Sequence, residues 1–567
     1  MIRKIADNII SPLGFTTEAN YQALLACRSA LQCYKGWRGI NEPFAASLFT
    51  EEQTAALVTE GLTRFESLAV ASVRRAVRSA GLDVSQPSVV LILSTTKANV
   101  ELLEQGESSA RLFPGVSAGR IARAVGVTTT PVTVCNACIS GVSAIILASR
   151  LLDSCQYDYA IVCGAECVSP FILSGFQSLK AVSARDCRPF DLDRSGLNLG
   201  EAAATIVFAA DRVSSGQGWG VKAGVIRNDA YHISAPSKQA EGACQALLSV
   251  LNGRDVSRLA FINAHGTATM FNDQMESVAI ERAGLSAVPV NGQKGYYGHT
   301  LGAAGVLETL LSMRACDDQL VLGTRGFAER GVSGRISLSA IHRPCLQPDF
   351  VKMISGFGGG NAAIWMTKET GADEVCPPCR LALLHRVQIS AGGVLVDGQT
   401  VETAATGSEL LTAVYRSRIG NYPKFYKMDM LSRLGFVASE LLLDVEGGER
   451  FMERCDRAVI LFNRSSSVHT DQLYFSSMHS AEGYFPSPSL FVYTLPNVVT
   501  GEIAIRNHYH GETSFYVLPS RHDQLMERVV CASLADSQTQ SVVSGWLDYE
   551  DDGHFSADFI LQQKVYE

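Results

Sequence analysis

The clearest indication of the fold comes from Val132-Thr133-Val134-Cys135-Asn136-Ala137-Cys138-Ile139-Ser140-Gly141. Its branched start predicts a short buried strand, and residues 141–152 predict an apolar, alanine-rich helix. Residues 88–94 and 159–164 predict further buried strands before and after this unit. Strand, helix and strand at this spacing favour a parallel α/β unit, with Cys138 in the turn between a strand and a helix.

Working outward, residues 204–208, 259–263 and 363–366 predict more buried strands. Beyond Lys368 the chain becomes polar and proline-bearing, which is typical of a linker. Three parts are therefore predicted: a domain over 1–368, a linker over 369–381 and a second domain over 382–567. The second domain has a predicted helix over 428–443 and a predicted strand over 458–462.

The linker contains Cys376 and Cys379 in a C-x-x-C arrangement. A redox pair or half of a zinc site would use this spacing, but no second C-x-x-C or histidine pair is near it in sequence. The sequence favours two ordinary thiols, and no metal is expected.

Bulk properties exclude several classes of protein. The 567 residues carry a net charge of −8, and the pI of about 5.8 argues against a general nucleic-acid binder. No apolar run of signal-peptide or membrane-span length is found, so no membrane span is expected. The 15 cysteines are then expected to be reduced, as in a cytoplasmic protein.

Four short segments carry candidate chemistry: a cysteine turn, two histidine loops of which one follows a lysine, and a glycine-rich loop. They are Asn136-Ala137-Cys138-Ile139-Ser140-Gly141, Asn263-Ala264-His265-Gly266-Thr267-Ala268-Thr269, Lys294 with Gly298-His299-Thr300-Leu301-Gly302-Ala303-Ala304-Gly305, and Gly356-Phe357-Gly358-Gly359-Gly360-Asn361. A helix N-terminus after Cys138 would favour the thiolate, the nucleophilic form of cysteine. No Lys-Ser/Thr pair follows the last glycines, which argues against a phosphate-binding loop.

In this order the four segments resemble the β-ketoacyl-[acyl carrier protein] synthases, or ketosynthases. The resemblance covers about residues 1–368, with further matches at Ser11-Pro12-Leu13-Gly14, Arg188-Pro189-Phe190-Asp191 and Gly200-Glu201-Ala202-Ala203. It implies the thiolase-like five-layer α-β-α-β-α fold, built from two related halves. It also implies decarboxylative Claisen condensation of an acyl thioester with a malonyl thioester.

The resemblance implies a role for each matched residue. Cys138 would carry the acyl group, and His265 and His299 would stabilise the enolate. Lys294 would support them through a pair with Glu308. The backbone N–H groups of Cys138 and Phe357 would form the oxyanion hole, and the Phe357 ring, between Gly356 and Gly358, would gate entry of the acyl group. Thr267 and Thr269 would line the phosphopantetheine channel.

The C-terminal region resembles the N-terminal half of a ketosynthase. The likeness is carried by Leu495-Pro496-Asn497 and Gly501-Glu502-Ile503-Ala504-Ile505. After Gly511 the chain reads Glu512-Thr513-Ser514-Phe515-Tyr516-Val517-Leu518-Pro519-Ser520, without a cysteine where the nucleophile would follow. This predicts a smaller, non-catalytic α/β domain fused behind a complete one.

The chain also departs from the family's pattern. The strand before Ser11 is expected to be short, and residues 111–125 lack the usual Pro-Asn phrase. Asn136 and Ile139 stand where threonine and serine are commoner. Acyl length and pathway therefore do not follow from the resemblance.

The resemblance is compatible with four functions. An elongating ketosynthase of fatty-acid, polyene or polyketide biosynthesis fits the Cys-His-His set. A non-catalytic chain-length-factor scaffold does not fit the retained Cys138. A thiolase would need a second cysteine in the final glycine loop, and a starter-type synthase would have asparagine in place of His299.

The resemblance implies acyl carrier protein as the partner, with substrates on its phosphopantetheine and no further cofactor. Carrier proteins are acidic, so Arg74, Arg75 and Arg78 are candidates for docking. A homodimer, or a heterodimer with another ketosynthase-like chain, is expected.

Overall fold

The computed structural model describes residues 2–214, 218–369, 379–403, 405–478 and 486–566. Cys376 lies outside these residues. The strands are β1 Ile2–Ile10, β2 Gln32–Tyr34, β3 Phe44–Ser47, β4 Val89–Ser94, β5 Val132–Val134, β6 Tyr159–Glu166, β7 Leu199–Gly200, β8 Ala202–Ala210, β9 Gly220–Asn228, β10 Leu259–Asn263, β11 Val290–Asn291, β12 Leu320–Val321, β13 Arg343–Pro344, β14 Asp349–Ser355, β15 Gly360–Thr367, β16 Cys379–Ser390, β17 Gly393–Val396, β18 Gln399–Val401, β19 Arg457–Asn463, β20 Thr513–Val517, β21 Ser541–Asp551 and β22 His554–Tyr566. The helices are α1 Thr17–Leu25, α2 Glu51–Ala55, α3 Arg64–Ala80, α4 Pro114–Val125, α5 Ser140–Asp153, α6 Pro170–Ser178, α7 Glu241–Leu251, α8 Met270–Arg282, α9 Lys294–Tyr297, α10 Ala304–Asp317, α11 Glu409–Val414, α12 Met430–Glu446, α13 Val468–Met478, α14 Pro488–Tyr493, α15 Val498–Asn507 and α16 Asp523–Ala532.

Five layers make up the first region. Helices α5 and α10 lie between a large sheet and the five-stranded sheet β11-β10-β14-β15-β9. Helices α3 and α4 cover the outer face of the large sheet, while α7 packs outside the smaller one with α8 against it. The α-β-α-β-α order predicted from the sequence is confirmed.

Helix α3 shows how local sequence sets an element. Thr63 and Glu66 form a capping box at its start, and Gly81, at φ +61°, ends it in the left-handed conformation. The buried residues of α3 form one face against β1, β6 and β8. The opposite face presents Arg74, Arg75 and Arg78 to solvent.

One twelve-stranded sheet runs through both predicted domains in the order β1-β8-β6-β4-β5-β20-β19-β21-β22-β16-β17-β18. Strand β4 is parallel to β5 and β6, and β19 is parallel to β20 and β21. Outward from these, two antiparallel pairings follow in the first region and four in the second, where the last two add β17 and β18. An approximate two-fold axis therefore relates five strands of each region. It matches β5, β4, β6, β8 and β1 with β20, β19, β21, β22 and β16, in that order.

The axis passes between β5 and β20, which pair antiparallel. Val134 faces Tyr516 and Thr133 faces Val517. The helices that follow these strands begin at Ser140 and Asp523, and the same offset makes Val134 and Val517 equivalent positions. This agrees with the predicted likeness of the C-terminal region to an N-terminal ketosynthase half.

Other expectations differ in detail. The strand before Ser11 is not short: β1 spans nine residues because it pairs along its length with β8. Strand β16 begins at Cys379, inside the stretch predicted to be linker, because it pairs with β22. Among the described helices, none has the length and apolarity needed to cross a membrane.

Candidate active site

The cysteine turn follows β5 directly. Cys138 lies in a 3-10 turn, Ala137–Ile139, ahead of α5. Ala137 takes a left-handed φ of +48°, which turns the chain sharply before the thiol. Ser140 Oγ donates to the Ala137 carbonyl (2.6 Å) and accepts from Asn136 N–H (2.8 Å), so the turn is hydrogen-bonded from within.

The C-terminal region also holds this turn. The Phe515 backbone N–H donates to Asn136 Oδ1 (2.6 Å), and Cys135 N–H donates to the Phe515 carbonyl (3.1 Å). The strand across the approximate two-fold axis therefore helps to set the position of Cys138.

Three other loops converge on Cys138. His265 lies two residues after β10, and His299 lies two residues after α9. The backbone of His299 is fixed to Asn198 and Gly200 at β7 (2.6 and 3.0 Å). The glycine-rich loop joins β14 to β15.

The thiol and the two imidazoles form one cluster. Atoms of Cys138, His265 and His299 lie within 4.8 Å of one another, and all three side chains are buried. The two rings stand edge-to-face, with centroids 4.8 Å apart. One reacting group could touch all three. Thiolate and imidazole are also ligands that zinc accepts, so the expectation of a metal-free site stays a prediction.

Hydrogen bonding assigns the tautomer of His299. Its Nδ1 accepts from the Leu301 backbone N–H (3.2 Å), which places the ring proton on Nε2. Nε2 is buried, and no described residue hydrogen-bonds to it. His299 therefore presents an unused N–H donor to the cluster.

Charge around the cluster keeps both imidazoles neutral. Burial lowers the pKa of His265 and of His299 well below the usual range, and the nearby ammonium groups of Lys294 and Lys352 lower it further. Burial raises the pKa of the Cys138 thiol to about 12, and Lys294 opposes that rise. This direction is opposite to the one that a helix N-terminus alone predicts, because desolvation is the larger effect.

Two lysines share one carboxylate behind the histidines. Lys294 Nζ lies 2.6 Å from Glu308 Oε1, and Lys352 Nζ lies 2.6 Å from Glu308 Oε2. Lys352 also donates to the Ala264 carbonyl (3.2 Å), next to His265. All three charged groups are at most 3% exposed. The group carries one net positive charge.

Lys352 is absent from the sequence prediction. It lies in the middle of the buried strand β14, where a lysine is rare unless it is paired. A lysine between apolar strand residues could have indicated a buried charge pair. Its partner Glu308 lies 44 residues away in the chain, however, so the sequence does not show which residue it pairs with.

Carboxylates of α8 hold the His265 loop. Glu276 accepts from the backbone N–H groups of His265 (2.6 Å) and Gly266 (2.8 Å), and Asp273 accepts from Ala268 (3.2 Å). Burial raises the pKa of Asp273 to about 6 and that of Glu276 to about 7.

The two threonines of the His265 loop lie at its far end. Thr267 is buried and Thr269 is half-buried, and their hydroxyl oxygens are 2.8 Å apart. Neither belongs to the Cys138 cluster, so the predicted role in a substrate channel stays a prediction.

The glycine-rich loop runs close to Cys138. A Cβ on Gly356 would lie 3.2 Å from the Cys138 backbone nitrogen. Gly358 and Gly359 have φ values of +87° and +76°, which side chains disfavour. Asn497 Nδ2 donates to the Phe357 carbonyl (2.8 Å), so the C-terminal region also holds this loop.

A small apolar cavity adjoins the thiol. It is lined by Thr96, Lys97, Ala137, Cys138, Ile172, Phe176, Leu301, Phe357, Phe491 and Leu495. Its volume of about 20 Å³ suits roughly one water. The Phe176 ring stacks on Phe357 and meets Phe491 edge-on, at 6.1 and 5.3 Å. An acyl chain can enter only if these rings move, and two of the lining residues come from the C-terminal region.

Family profiles match more than half of the chain. "Beta-ketoacyl synthase, N-terminal domain" matches residues 10–212, and "Beta-ketoacyl synthase, C-terminal domain" matches residues 220–328. Among curated proteins, the 3-oxoacyl-[acyl-carrier-protein] synthase 2 of Vibrio cholerae is 26% identical over 63% of this chain and 96% of its own length. The Rhizobium meliloti protein of the same name is 32% identical over 42% of this chain and 61% of its own length.

Solved structures share the fold. "PfaC Keto synthase-Chain length factor" covers 99% of this chain and 78% of its own, with a TM-score of 0.76 at 15% identity. "The ishigamide ketosynthase/chain length factor" covers 65% of this chain and 99% of its own, with a TM-score of 0.57 at 23% identity. The first of these matches extends over the C-terminal region as well.

Proposed function

The chain belongs to the β-ketoacyl synthase family, and we propose that it elongates acyl chains by condensing a Cys138-bound acyl group with malonyl-acyl carrier protein. As a ketosynthase it is an acyltransferase. The observation that carries the proposal is the Cys138–His265–His299 cluster, with its atoms within 4.8 Å. A thiol for acyl transfer and two imidazoles for an enolate are what such a condensation needs.

In the first half-reaction Cys138 takes the acyl group. Its thiol is protonated at rest, so a neutral imidazole of the cluster accepts the proton as sulfur attacks the thioester carbonyl. The backbone N–H groups of Cys138 and Phe357 bind the tetrahedral oxyanion. The C–S bond to the carrier then breaks, and the departing thiolate takes the proton.

In the second half-reaction the malonyl thioester carbonyl accepts the Nε2–H of His265 and of His299. Loss of CO₂ leaves the bonding electrons as an enolate on that oxygen and the adjacent carbon. The carbon attacks the acyl group on Cys138, the acyl–sulfur bond breaks, and a β-ketoacyl thioester leaves. Burial, together with the charged Lys294–Glu308–Lys352 group, keeps both histidines neutral in this half-reaction.

The C-terminal region serves as a non-catalytic partner within the same chain. Counting from the equivalent positions Val134 and Val517, Arg521 occupies the place of Cys138. Phe491 and Leu495 supply part of the cavity wall. The chain-length-factor hypothesis thus applies to this region, while retained Cys138 argues against it for the whole chain. Acyl carrier protein is the proposed partner, with Arg74, Arg75 and Arg78 as docking candidates.

Intact-mass spectrometry of the carrier protein tests the proposal. The enzyme is incubated with an acyl-carrier donor and malonyl carrier protein, beside Cys138→Ala and the surface control Cys155→Ala. We expect a β-ketoacyl product with the wild type and with Cys155→Ala, and none with Cys138→Ala. No acyl-enzyme and no product across a range of donors would instead leave a scaffold function.

A further inference from the structure

We propose that Asn497 of the C-terminal region is a positioning residue for the oxyanion-hole loop, supplied from across the approximate two-fold axis. The inference rests on the proposed function, because it assigns that loop to the acylation of Cys138. It gives the fused region a task beyond closing the acyl cavity.

The contact is short and protected from water. Asn497 immediately precedes α15, is 5% exposed, and donates its Nδ2–H to the Phe357 carbonyl at 2.8 Å. From the other side, Gly358 N–H donates to the Ile233 carbonyl at 2.7 Å. Both polar groups of the Phe357–Gly358 peptide are therefore bonded, which fixes the peptide plane beside the oxyanion hole.

Two glycines let the helix and the loop approach this closely. A Cβ on Gly358 would stand 2.6 Å from Asn497 Nδ2. A Cβ on Gly501 would stand 2.5 Å from the Gly358 carbonyl oxygen. Both distances are below any ordinary carbon contact, so the sequence on each side is adapted to the other.

The equivalent segment of the first region has no asparagine at this position. Phe113-Pro114-Gly115-Val116-Ser117-Ala118-Gly119-Arg120-Ile121-Ala122 corresponds to Leu495-Pro496-Asn497-Val498-Val499-Thr500-Gly501-Glu502-Ile503-Ala504. The first segment leads into α4, which precedes β5, and the second leads into α15, which precedes β20. Proline, valine, glycine, isoleucine and alanine recur at the same places, but Gly115 stands where the other copy has Asn497.

The two segments face different surroundings, which explains why one has Asn497 and the other Gly115. Asn497 faces the working site. Gly115 faces the backbone of Leu518, where a Cβ would lie 2.6 Å from the carbonyl oxygen. Three residues beyond Leu518, Arg521 stands in place of a nucleophile, so no acyl transfer there needs an amide donor. The Pro-Asn phrase missing from residues 111–125 is thus kept only in the copy that serves Cys138.

Asn497→Asp tests this, because aspartate has the same shape but cannot donate to a carbonyl. The matched control is Asn507→Asp at the other end of α15, a residue 1% exposed whose Nδ2 donates to Ile503 within the helix (2.9 Å). Three quantities are measured in the full-length protein: Cys138 acylation by an acyl thioester, Cys138 alkylation by iodoacetamide, and amide hydrogen exchange of residues 356–360.

We expect Asn497→Asp to slow acylation at least about tenfold, because a displaced Phe357 N–H no longer stabilises the tetrahedral intermediate of acyl transfer. Alkylation has no such state and should stay within about twofold. Exchange across residues 356–360 should be faster, and Asn507→Asp should change none of the three. Equal losses of acylation and alkylation, or loop exchange as in the wild type, would overturn the inference. If Cys138 of the wild type reacts with iodoacetamide but is never acylated, the proposed function is wrong. Hydrogen exchange of residues 356–360 would then still show whether Asn497 positions the loop.

Discussion

The proton on Cys138 has to leave before its sulfur can attack, and of the two neutral imidazoles beside it only His265 can receive it, since His299 already presents an N–H donor. Burial is the main cause of their neutrality, and the positive charges of Lys294 and Lys352 behind them add to it. Because Glu308 balances only one of these lysines, the remaining positive charge acts on both rings. The acid–base behaviour of the site is therefore set partly by residues that touch no substrate.

Lys352→Met removes that extra charge while keeping the side-chain volume. The pKa values of His265 and His299 are expected to rise, so the acid-side loss of condensation activity should move to higher pH. Stability should change little, because the remaining Lys294–Glu308 pair is charge-balanced. The pH–rate profile measures the shift, with the exposed Lys238→Met as control. An unchanged acid limb would show that Lys352 does not control the histidines.

Glu308→Gln makes the opposite change and leaves two buried ammonium groups without a carboxylate. Removing one partner of a buried charge pair typically costs about 3–5 kcal/mol, and we expect a loss of that size in urea unfolding. Glu281→Gln, which removes a surface pair with Arg335, should leave the unfolding free energy nearly unchanged. Equal effects of the two variants would contradict the buried charge arrangement.

At the scale of single elements, α8 couples the His265 loop to pH. Folding raises the pKa of Glu276 to about 7, from an ordinary value of 4.5. A raised carboxyl pKa stabilises the fold below the unfolded pKa, and this stability is lost as pH rises through about 7.

Glu276→Gln should therefore flatten the decline in unfolding free energy between about pH 4.5 and 7. Urea unfolding at several pH values measures it, and Glu241→Gln is a half-exposed control whose carboxyl pKa is lowered by Gln245 and Arg282. A decline that persists unchanged in Glu276→Gln would place its source in other groups.

Helix α14 contributes the cavity wall through Phe491. Phe491→Ala should widen the cavity and shift preference towards longer acyl donors, at a stability cost of about 3–5 kcal/mol. Competition between donors of different length, read by mass spectrometry, measures the shift. Phe425→Leu, at a buried aromatic that does not line the cavity, should leave the preference unchanged.

Elements with a strong local signal were predictable. Strands β4, β5 and β6, helix α5 and strand β19 all lie within a few residues of their predicted positions, because each is a short apolar run or a clear helical stretch. The pairing of β5 with β20 joins residues some 380 positions apart, and no local pattern encodes it. Motifs identified Cys138, His265, Lys294 and His299, whereas Lys352 and the role of Asn497 depend on tertiary contacts.

At the scale of the whole molecule, buried ion pairs join the first region to the C-terminal region. Arg150 on α5 lies 2.7 Å from Glu512, and both side chains are nearly inaccessible to solvent. Lys97 and Asp471 form a second such pair beside the acyl cavity. These pairs fix the register of the regions, since a charge displaced from its partner would be buried alone.

Arg150→Met and Glu512→Gln should each destabilise the protein by about 3–5 kcal/mol, and the double variant by less than their sum. Urea unfolding of the full cycle measures the coupling. Arg212→Met, at the exposed pair with Asp158, should cost less than about 1 kcal/mol. Additive effects in the buried cycle would mean that the two groups do not interact.

The junction of β5 and β20 lies within a single polypeptide. Two separate chains meeting at such an edge would assemble to an extent set by their concentrations, and most of them would be dissociated and inactive on dilution well below the dissociation constant. A covalent tether replaces that dependence with a fixed effective concentration. The turnover of each molecule should then stay constant over about a thousandfold dilution. Even at very low copy number in a cell, each molecule would contain one Cys138 site and the C-terminal region that supports it.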